Sequence, residues 1–328
     1  MNTVSEVVII THAGRSIGGG HASRCSALAE GFASLGVAVR WLVNASAGEI
    51  VLRSGAPETF VTVMESPFGE GADAVLAALS ASRASLCIVD GYDASPSFLA
   101  ELRRFAPVVL VDDCRVRPVE RECDAVLNYN VNADALGYGA GHAELLLGPE
   151  FALLRSEFWS LAPGKGDAVL IIPGASDLLR TGERFVEWWG SGWPRAELVL
   201  GPLVETSMAE RLAEAVGALP NLSAVRNPPD LPARMARSRA VLCTSSVTSY
   251  EALALRKPLV VFQTAENQMG IGCEIERRGL GVNLGAWGTW GGEQLRRSLE
   301  NLPPEPVACV NPRGACAAAE ALCALSGD

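Results

Sequence analysis

The stretch IGGGHASRCSALAEGFASLG, residues 17–36, decides the fold. The apolar run VVII at 7–10 precedes it and predicts a buried strand. Gly18, Gly19 and Gly20 then let the backbone turn tightly and let a ligand approach its amides. Beyond them Cys25, Leu28, Ala29 and Phe32 recur at helical spacing, and Gly36 marks the stop. Strand, glycine turn and helix in this order predict a βα unit of a parallel sheet. His21 falls on the first turn of that helix, where the dipole opposes a positive charge, so the ring suits a base. A capping or packing histidine would occupy the same place. The spacing is neither G-x-G-x-x-G nor a P-loop, since no Gly-Lys-Ser/Thr comes after it.

Outward from this unit the pattern repeats. Residues 37–43, 60–64, 85–89, 108–111 and 125–127 read as strands, with helices over 73–82 and 97–105. Asp90, Gly91 and Tyr92 follow one strand, Asp112 and Asp113 the next, and Asn128 and Asn130 the last. Ligands of parallel sheets collect at such carboxyl ends. The segment 159–166, WSLAPGKG, breaks the pattern and predicts a linker. A second series begins after it, with strands at 168–172, 197–200, 222–225, 241–243 and 258–262 and helices at 183–189, 208–216, 231–237, 250–256 and 269–278. The alanine-rich tail, 312–325, predicts a closing helix.

A chain of 328 residues fits two domains of roughly 150 residues each. The division predicted is 1–160 and 161–328, two α/β halves with a cleft between them. The net charge of −10 argues against general binding of nucleic acid or anionic membranes, while leaving room for a local basic pocket. Nine cysteines include no C-x-x-C pair; Cys87, Cys243 and Cys323 read as small core residues in a reducing compartment, and no metal site is expected. No run approaches the roughly 18 apolar residues of a membrane span, so a cytoplasmic protein is expected.

Taken as an ordered set, several segments resemble the PseG family, the hydrolases of UDP-2,4-diacetamido-2,4,6-trideoxy-β-L-altropyranose in pseudaminic acid biosynthesis. In the first half they are residues 17–36, VDGYDAS at 89–95, VDDCRVRP at 111–118, CDAVLN at 123–128 and LGPEFALLRSEF at 147–158. In the second half they are SSVTSYEALALRKPLVVF at 245–262 and AENQ at 265–268. The second half also resembles the nucleotide-sugar domain of MurG-type glycosyltransferases. The resemblance implies an α/β protein of GT-B fold, two Rossmann-like domains facing a cleft. It implies that His21 is the base that activates water, that Tyr92 contacts the sugar, and that Asn267 lies near the reacting sugar and diphosphate. It further implies that Glu251 holds the ribose hydroxyls of uridine. Gly174, Ser245, Ser246, Val247 and Gln268 complete the expected substrate-binding set with the three glycines. No cofactor is implied.

The residue chemistry suits those roles. Hydrolysis of a sugar nucleotide needs an activated water, a clamp on the diphosphate and a nucleoside pocket. The hydroxyl-rich turn 244–249 leads into a helix whose N–H groups can hold diphosphate oxygens. Glu251, read as early on that helix, can accept two ribose hydroxyls or merely answer the helix dipole. Tyr92 could equally pack over the sheet edge, and Asp112 and Asp113 could cap the next segment. Ser245, Ser246 and Thr248 could be ordinary N-cap residues, and Asn267 a turn residue. Trp188 and Trp189 read as packing.

Three places depart from the family pattern. Its D-H-Y turn is here Asp90-Gly91-Tyr92, its G-G-S/T-D turn is Pro173-Gly174-Ala175-Ser176-Asp177, and its R-x-D-x-S stretch is replaced by THAGR at 11–15. His12 stands in that replaced stretch, either near the same cleft or simply packed. The expected function is hydrolysis of a UDP-linked diacetamido trideoxy sugar without a metal. The alternatives are a GT-B glycosyltransferase, in which His21 deprotonates an acceptor hydroxyl, and a non-catalytic nucleotide-sugar-binding protein. A UDP-sugar is the expected partner, and the sequence leaves the oligomeric state open.

Overall fold

The computed structural model describes residues 4–14, 16–139 and 141–325. The chain divides into two compact units, Met1–Ser156 with Asn311–Asp328, and Glu157–Val310. Among the described residues each unit is built on one parallel sheet, of seven strands in the first and six in the second.

The first unit runs β1 (Glu6–Thr11), α1 (Gly20–Ser34), β2 (Ala38–Asn44), α2 (Ala45–Arg53), β3 (Val61–Met64), α3 (Ala72–Ser80), β4 (Leu86–Asp90), α4 (Pro96–Leu102), β5 (Val108–Val111), β6 (Ala125–Asn128) and β7 (Glu144–Leu147). The sheet order is β3-β2-β1-β4-β5-β6-β7. Val7, Val8, Ile9 and Ile10 have no exposed surface, as an apolar run covered on both faces requires. The order of connection reverses between β1 and β4, where Thr11 is the register partner of Asp90. That reversal opens a crevice at the strand ends, the place where open α/β sheets receive ligands.

The second unit runs β8 (Val169–Ile172), α5 (Thr181–Trp188), β9 (Ala196–Leu200), α6 (Thr206–Val216), β10 (Leu222–Arg226), α7 (Leu231–Arg237), β11 (Ala240–Thr244), α8 (Val247–Ala254), β12 (Leu259–Gln263), α9 (Met269–Arg277), β13 (Val282–Ala286) and α10 (Gly292–Glu300). Its order, β10-β9-β8-β11-β12-β13, reverses between β8 and β11. Phe185, Phe262 and Trp290 pack in its core with Trp188 and Trp287 at the margin, and Trp189 is buried beside Trp193. The two tryptophans 188 and 189 are therefore packing residues.

The closing helix α11 (Gly314–Ala324) belongs to the first unit, whereas the sequence division runs the second domain to the end of the chain. Small residues account for this return. A Cβ on Gly31 of α1 would lie 2.3 Å from the Ala315 carbonyl oxygen, and Ala315, Ala318 and Ala319 are fully buried. Four elements go beyond the sequence reading: α2, β7, β13 and α10. All nine cysteines are unpaired, and Cys87 and Cys243 are buried while Cys323 is half-buried. No helix among the described residues is long and apolar enough to cross a membrane.

Candidate active site

In the first unit the glycine turn folds as a small loop of its own. Gly14 and Gly18 exchange backbone hydrogen bonds at 3.1 and 2.7 Å, and Gly18 takes φ +82°, a conformation that favours glycine. The Gly18 amide is thus committed to Gly14. Gly19 is the residue before α1, and Gly20 is the first helical residue, so His21 stands on the first turn.

His21 is 6% exposed and does not stand alone. Its Nδ1 lies 2.6 Å from Oδ1 of Asp90, the last residue of β4. A carboxylate oxygen can only accept, so Nδ1 carries the hydrogen toward Asp90, with a terminal nitrogen of Arg24 3.1 Å from the same Nδ1, and in the neutral ring Nε2 keeps its lone pair. Asp90 itself is fully buried. Burial alone would raise its pKa, but the Arg24 charge, His21 and their hydrogen bonds outweigh it and hold the carboxyl well below the usual range.

Arg24 comes from the same helix, one turn after His21, and brings these groups together. Its Nε and one terminal nitrogen donate to the two oxygens of Asp90 at 2.6 Å each. Its other terminal nitrogen donates to Asp113, just past β5. Asp113 also accepts the Tyr92 hydroxyl at 2.5 Å. The Tyr92 ring meets the His21 ring edge-on, with centroids 5.0 Å apart, and is 47% exposed. Of the three residues expected to be catalytic, His21, Tyr92 and Asn267, the first two are brought together in this unit. Asp90, Arg24 and Asp113 as their holders were not assigned by the sequence reading. The available signal was one arginine, three residues after His21 on an otherwise apolar helix face, with aspartates at the ends of two strands.

Asp112 has the capping role. It accepts the Arg115 amide at 3.0 Å and the Tyr138 hydroxyl at 2.5 Å. His12, at the end of β1, is 5% exposed and packs edge-on to Phe68 at 4.9 Å, with its ring centroid 5.8 Å from that of His21. Burial and the neighbouring His21 lower the His12 pKa. A Cβ on Gly91 would lie 2.5 Å from the Phe68 ring and 3.2 Å from His12 Nε2. His12 and Phe68 therefore fill the space that a side chain at 91 would need.

In the second unit the other expected residues gather at the ends of β8, β11 and β12. Gly174 takes φ +127° in the loop after β8. Asp177 folds that loop by accepting the amides of Thr181 and Gly182, both at 2.8 Å. The Ser245 amide donates to the Phe262 carbonyl and the Ser246 amide to the Thr244 carbonyl, at 3.0 and 2.8 Å. Neither can serve a ligand in this state, which corrects the expectation that the whole turn offers N–H groups. Among the described residues the amides of Val247 and Thr248 have no backbone acceptor and form the donor end of α8.

Glu251 is buried, and α8 starts at Val247 rather than 250 because Ser246 already has extended, N-cap backbone angles. The glutamate therefore sits on the second turn, where a dipole-answering role is weak. Gln268 holds its own turn, its Oε1 accepting the Thr264 amide at 2.9 Å. Asn267 is exposed in the same turn. No group of three His, Cys, Asp or Glu side chains among the described residues is arranged to hold a metal ion.

No family model and no curated protein matches the chain in sequence. Among solved structures it is similar to MurG of Acinetobacter baumannii, with a TM-score of 0.63 and 15% identity over 98% of this chain and 99% of that one. It is also similar to the UDP-GlcNAc 2-epimerase of Methanocaldococcus jannaschii in complex with UDP-GlcNAc and UDP (TM-score 0.63, 11% identity, 97% of this chain and 99% of that one). A third is CalG4, the calicheamicin glycosyltransferase, at 0.62 and 15% over 100% and 96%. These likenesses are of fold: the chain has a two-domain Rossmann-like GT-B fold.

Proposed function

We propose that the protein is a metal-independent hydrolase of a nucleotide sugar, and that its substrate is a UDP-linked diacetamido trideoxy sugar of the kind used in pseudaminic acid biosynthesis. The observation that carries the reading is the 2.6 Å bond from His21 Nδ1 to Asp90 at the reversal point of the first sheet. It leaves Nε2 as a proton acceptor held in one orientation.

In the proposed reaction a water oxygen bonds to the anomeric carbon while the bond from that carbon to the diphosphate oxygen breaks. The water proton passes to His21 Nε2, and UDP departs with the bonding electron pair. Asp90 stabilises the imidazolium that forms. Diphosphate is already a good leaving group, so a strong general acid is dispensable. Tyr92, on the same cluster, contacts the sugar. In the second unit the Val247 end of α8 holds diphosphate oxygens and Glu251 takes the ribose hydroxyls. Asn267 completes the reading from the sugar side.

A second reading, glycosyl transfer, is favoured by the similarity in fold to MurG and CalG4. The same base would then deprotonate an acceptor hydroxyl. One experiment separates them. The protein is incubated with UDP-, CMP- and GDP-linked amino sugars, without metal or acceptor, and free nucleotide is monitored. Release of UDP from a diacetamido trideoxy sugar, lost in His21→Ala, supports hydrolysis. Release only when an acceptor is added overturns it in favour of transfer.

A further inference from the structure

A histidine held by one carboxylate needs nothing more to fix its tautomer, yet the first unit builds a larger device. Arg24 is 5% exposed, and all three of its guanidinium nitrogens donate to carboxylates. Asp90 and Asp113, its acceptors, stand at the ends of the neighbouring strands β4 and β5. One buried cation on α1 thereby ties the ends of two strands together. Burying an arginine is costly unless each donor is satisfied, so the arrangement points to a purpose beyond packing.

Geometry gives the first part of that purpose. The two-pronged contact fixes the plane of the Asp90 carboxylate. The plane of the imidazole bonded to its Oδ1 is set in turn, and so is the direction of Nε2. Tyr92 is fixed from the other end, through Asp113. The 5.0 Å spacing of the His21 and Tyr92 rings therefore depends on one guanidinium.

Charge gives the second part. The charged groups bonded to one another are one guanidinium, two carboxylates and the imidazole that takes the proton. The Cys25 thiol on Asp90, the Tyr92 hydroxyl on Asp113 and the buried His12 ring, its pKa lowered, add no charge, and Asp93 beside His12 is exposed. With the imidazole neutral the charged groups sum to −1, and a proton arriving on His21 brings the sum to zero. Without Asp113 the same proton would leave a buried cluster at +1, which low-dielectric surroundings penalise.

We propose that Arg24 and Asp113 are positioning residues of the base, Arg24 setting the direction of the His21 ring and Asp113 supplying the charge that accommodates the proton while anchoring Tyr92. The proposal deepens the hydrolytic reading and rests on it for the step it serves. Its test reads the imidazole directly. Protein labelled with 15N at histidine is studied by long-range proton–nitrogen correlation, the His21 signals being those absent from His21→Gln. In the wild type they show hydrogen on Nδ1 and a bare Nε2. In Arg24→Lys, which keeps the charge and loses the fork, they become a mixture of both tautomers, and kcat falls at least tenfold with KM within twofold. In Asp113→Asn, which keeps the shape and removes the charge, the tautomer stays and the pH at which the ring takes up its proton moves down by roughly one unit. A folded Arg24→Lys with the wild-type pattern overturns the orienting role. An unmoved proton uptake in Asp113→Asn overturns the charge role, and it decides that point even where Arg24→Lys does not fold. Absence of turnover on every nucleotide sugar would remove the hydrolytic reading and leave the nitrogen signals to judge the positioning.

Discussion

Thr11 and Asp90 are register partners at the ends of β1 and β4, and the Thr11 hydroxyl donates to the Asp90 carbonyl at 3.0 Å. That bond pins the backbone of Asp90, while Arg24 and His21 hold its side chain. The central residue is thus held at both its backbone and its side chain, and substitutions there should separate chemistry from stability.

Asp90→Asn presents an amide where a carboxylate accepted from the Arg24 guanidinium and the His21 ring. We expect turnover of the nucleotide sugar to fall by roughly 10²–10⁴-fold. Unfolding in urea should show a loss of about 3–5 kcal/mol, because Arg24 loses half of its buried pairing. His21→Gln should lose the turnover with much less of the stability. Equal stability losses in the two variants would contradict this division.

Gly91→Ala places a methyl group against the Phe68 ring and His12. The neighbours belong to a filled core, so the variant should be destabilised by about 1–3 kcal/mol. Gly91→Ala combined with Phe68→Leu should recover part of that loss. Thermal melts of the three proteins check the ordering.

Val247→Pro tests the donor end of α8 without breaking it. Proline is tolerated at a first helical position, and Ser246 before it already has the extended backbone that proline requires. The fold should survive while one amide N–H disappears. A charge-assisted hydrogen bond to a diphosphate is worth about 1.5–3 kcal/mol, so UDP should bind about 10–150-fold more weakly. Calorimetric titration with UDP reads the difference, and unchanged affinity would remove Val247 from the proposed clamp.

Stability of the first unit should fall as the solution is acidified. His12 has its pKa lowered in the folded state from an ordinary 6.5. The unfolded chain then binds the proton more readily, so His12 contributes fully above 6.5 and its contribution is lost as pH falls through the folded value. Asp90, lowered from 3.8, adds a second loss below that value. Urea midpoints at pH 7 and pH 5 measure the first effect, and His12→Gln should shrink the difference between them.

The parts of the fold visible in the sequence are those coded locally. β1 and α1 announce themselves through an apolar run, a glycine turn and helical spacing within thirty residues. β13 does not, because Gly285 at φ +90° interrupts it and its pairing with β12 shifts register. α10 offers Leu295 and Leu299 as its buried residues amid charged neighbours, a weak signal for a helix. The site divides in the same way. His21 and Tyr92 lie on recognisable turns, but the bonds from Arg24 to Asp90 and Asp113 join residues 66 and 89 positions apart. Nothing periodic records a contact of that separation. The commitment of the Ser245 and Ser246 amides depends on how the turn closes, which residue types alone leave open.

The return of α11 sets an order on the making of the molecule. The bed for this helix, Gly31 on α1, leaves the ribosome nearly the whole chain ahead of the residues that lie on it. Through translation of everything between, α1 keeps an uncovered strip along its outer side, while the second unit is free to fold around its own sheet. The first unit is therefore begun first and finished last. A transcript stopped anywhere before residue 314 would yield a first unit with that strip still open, a species for chaperones or proteases to find.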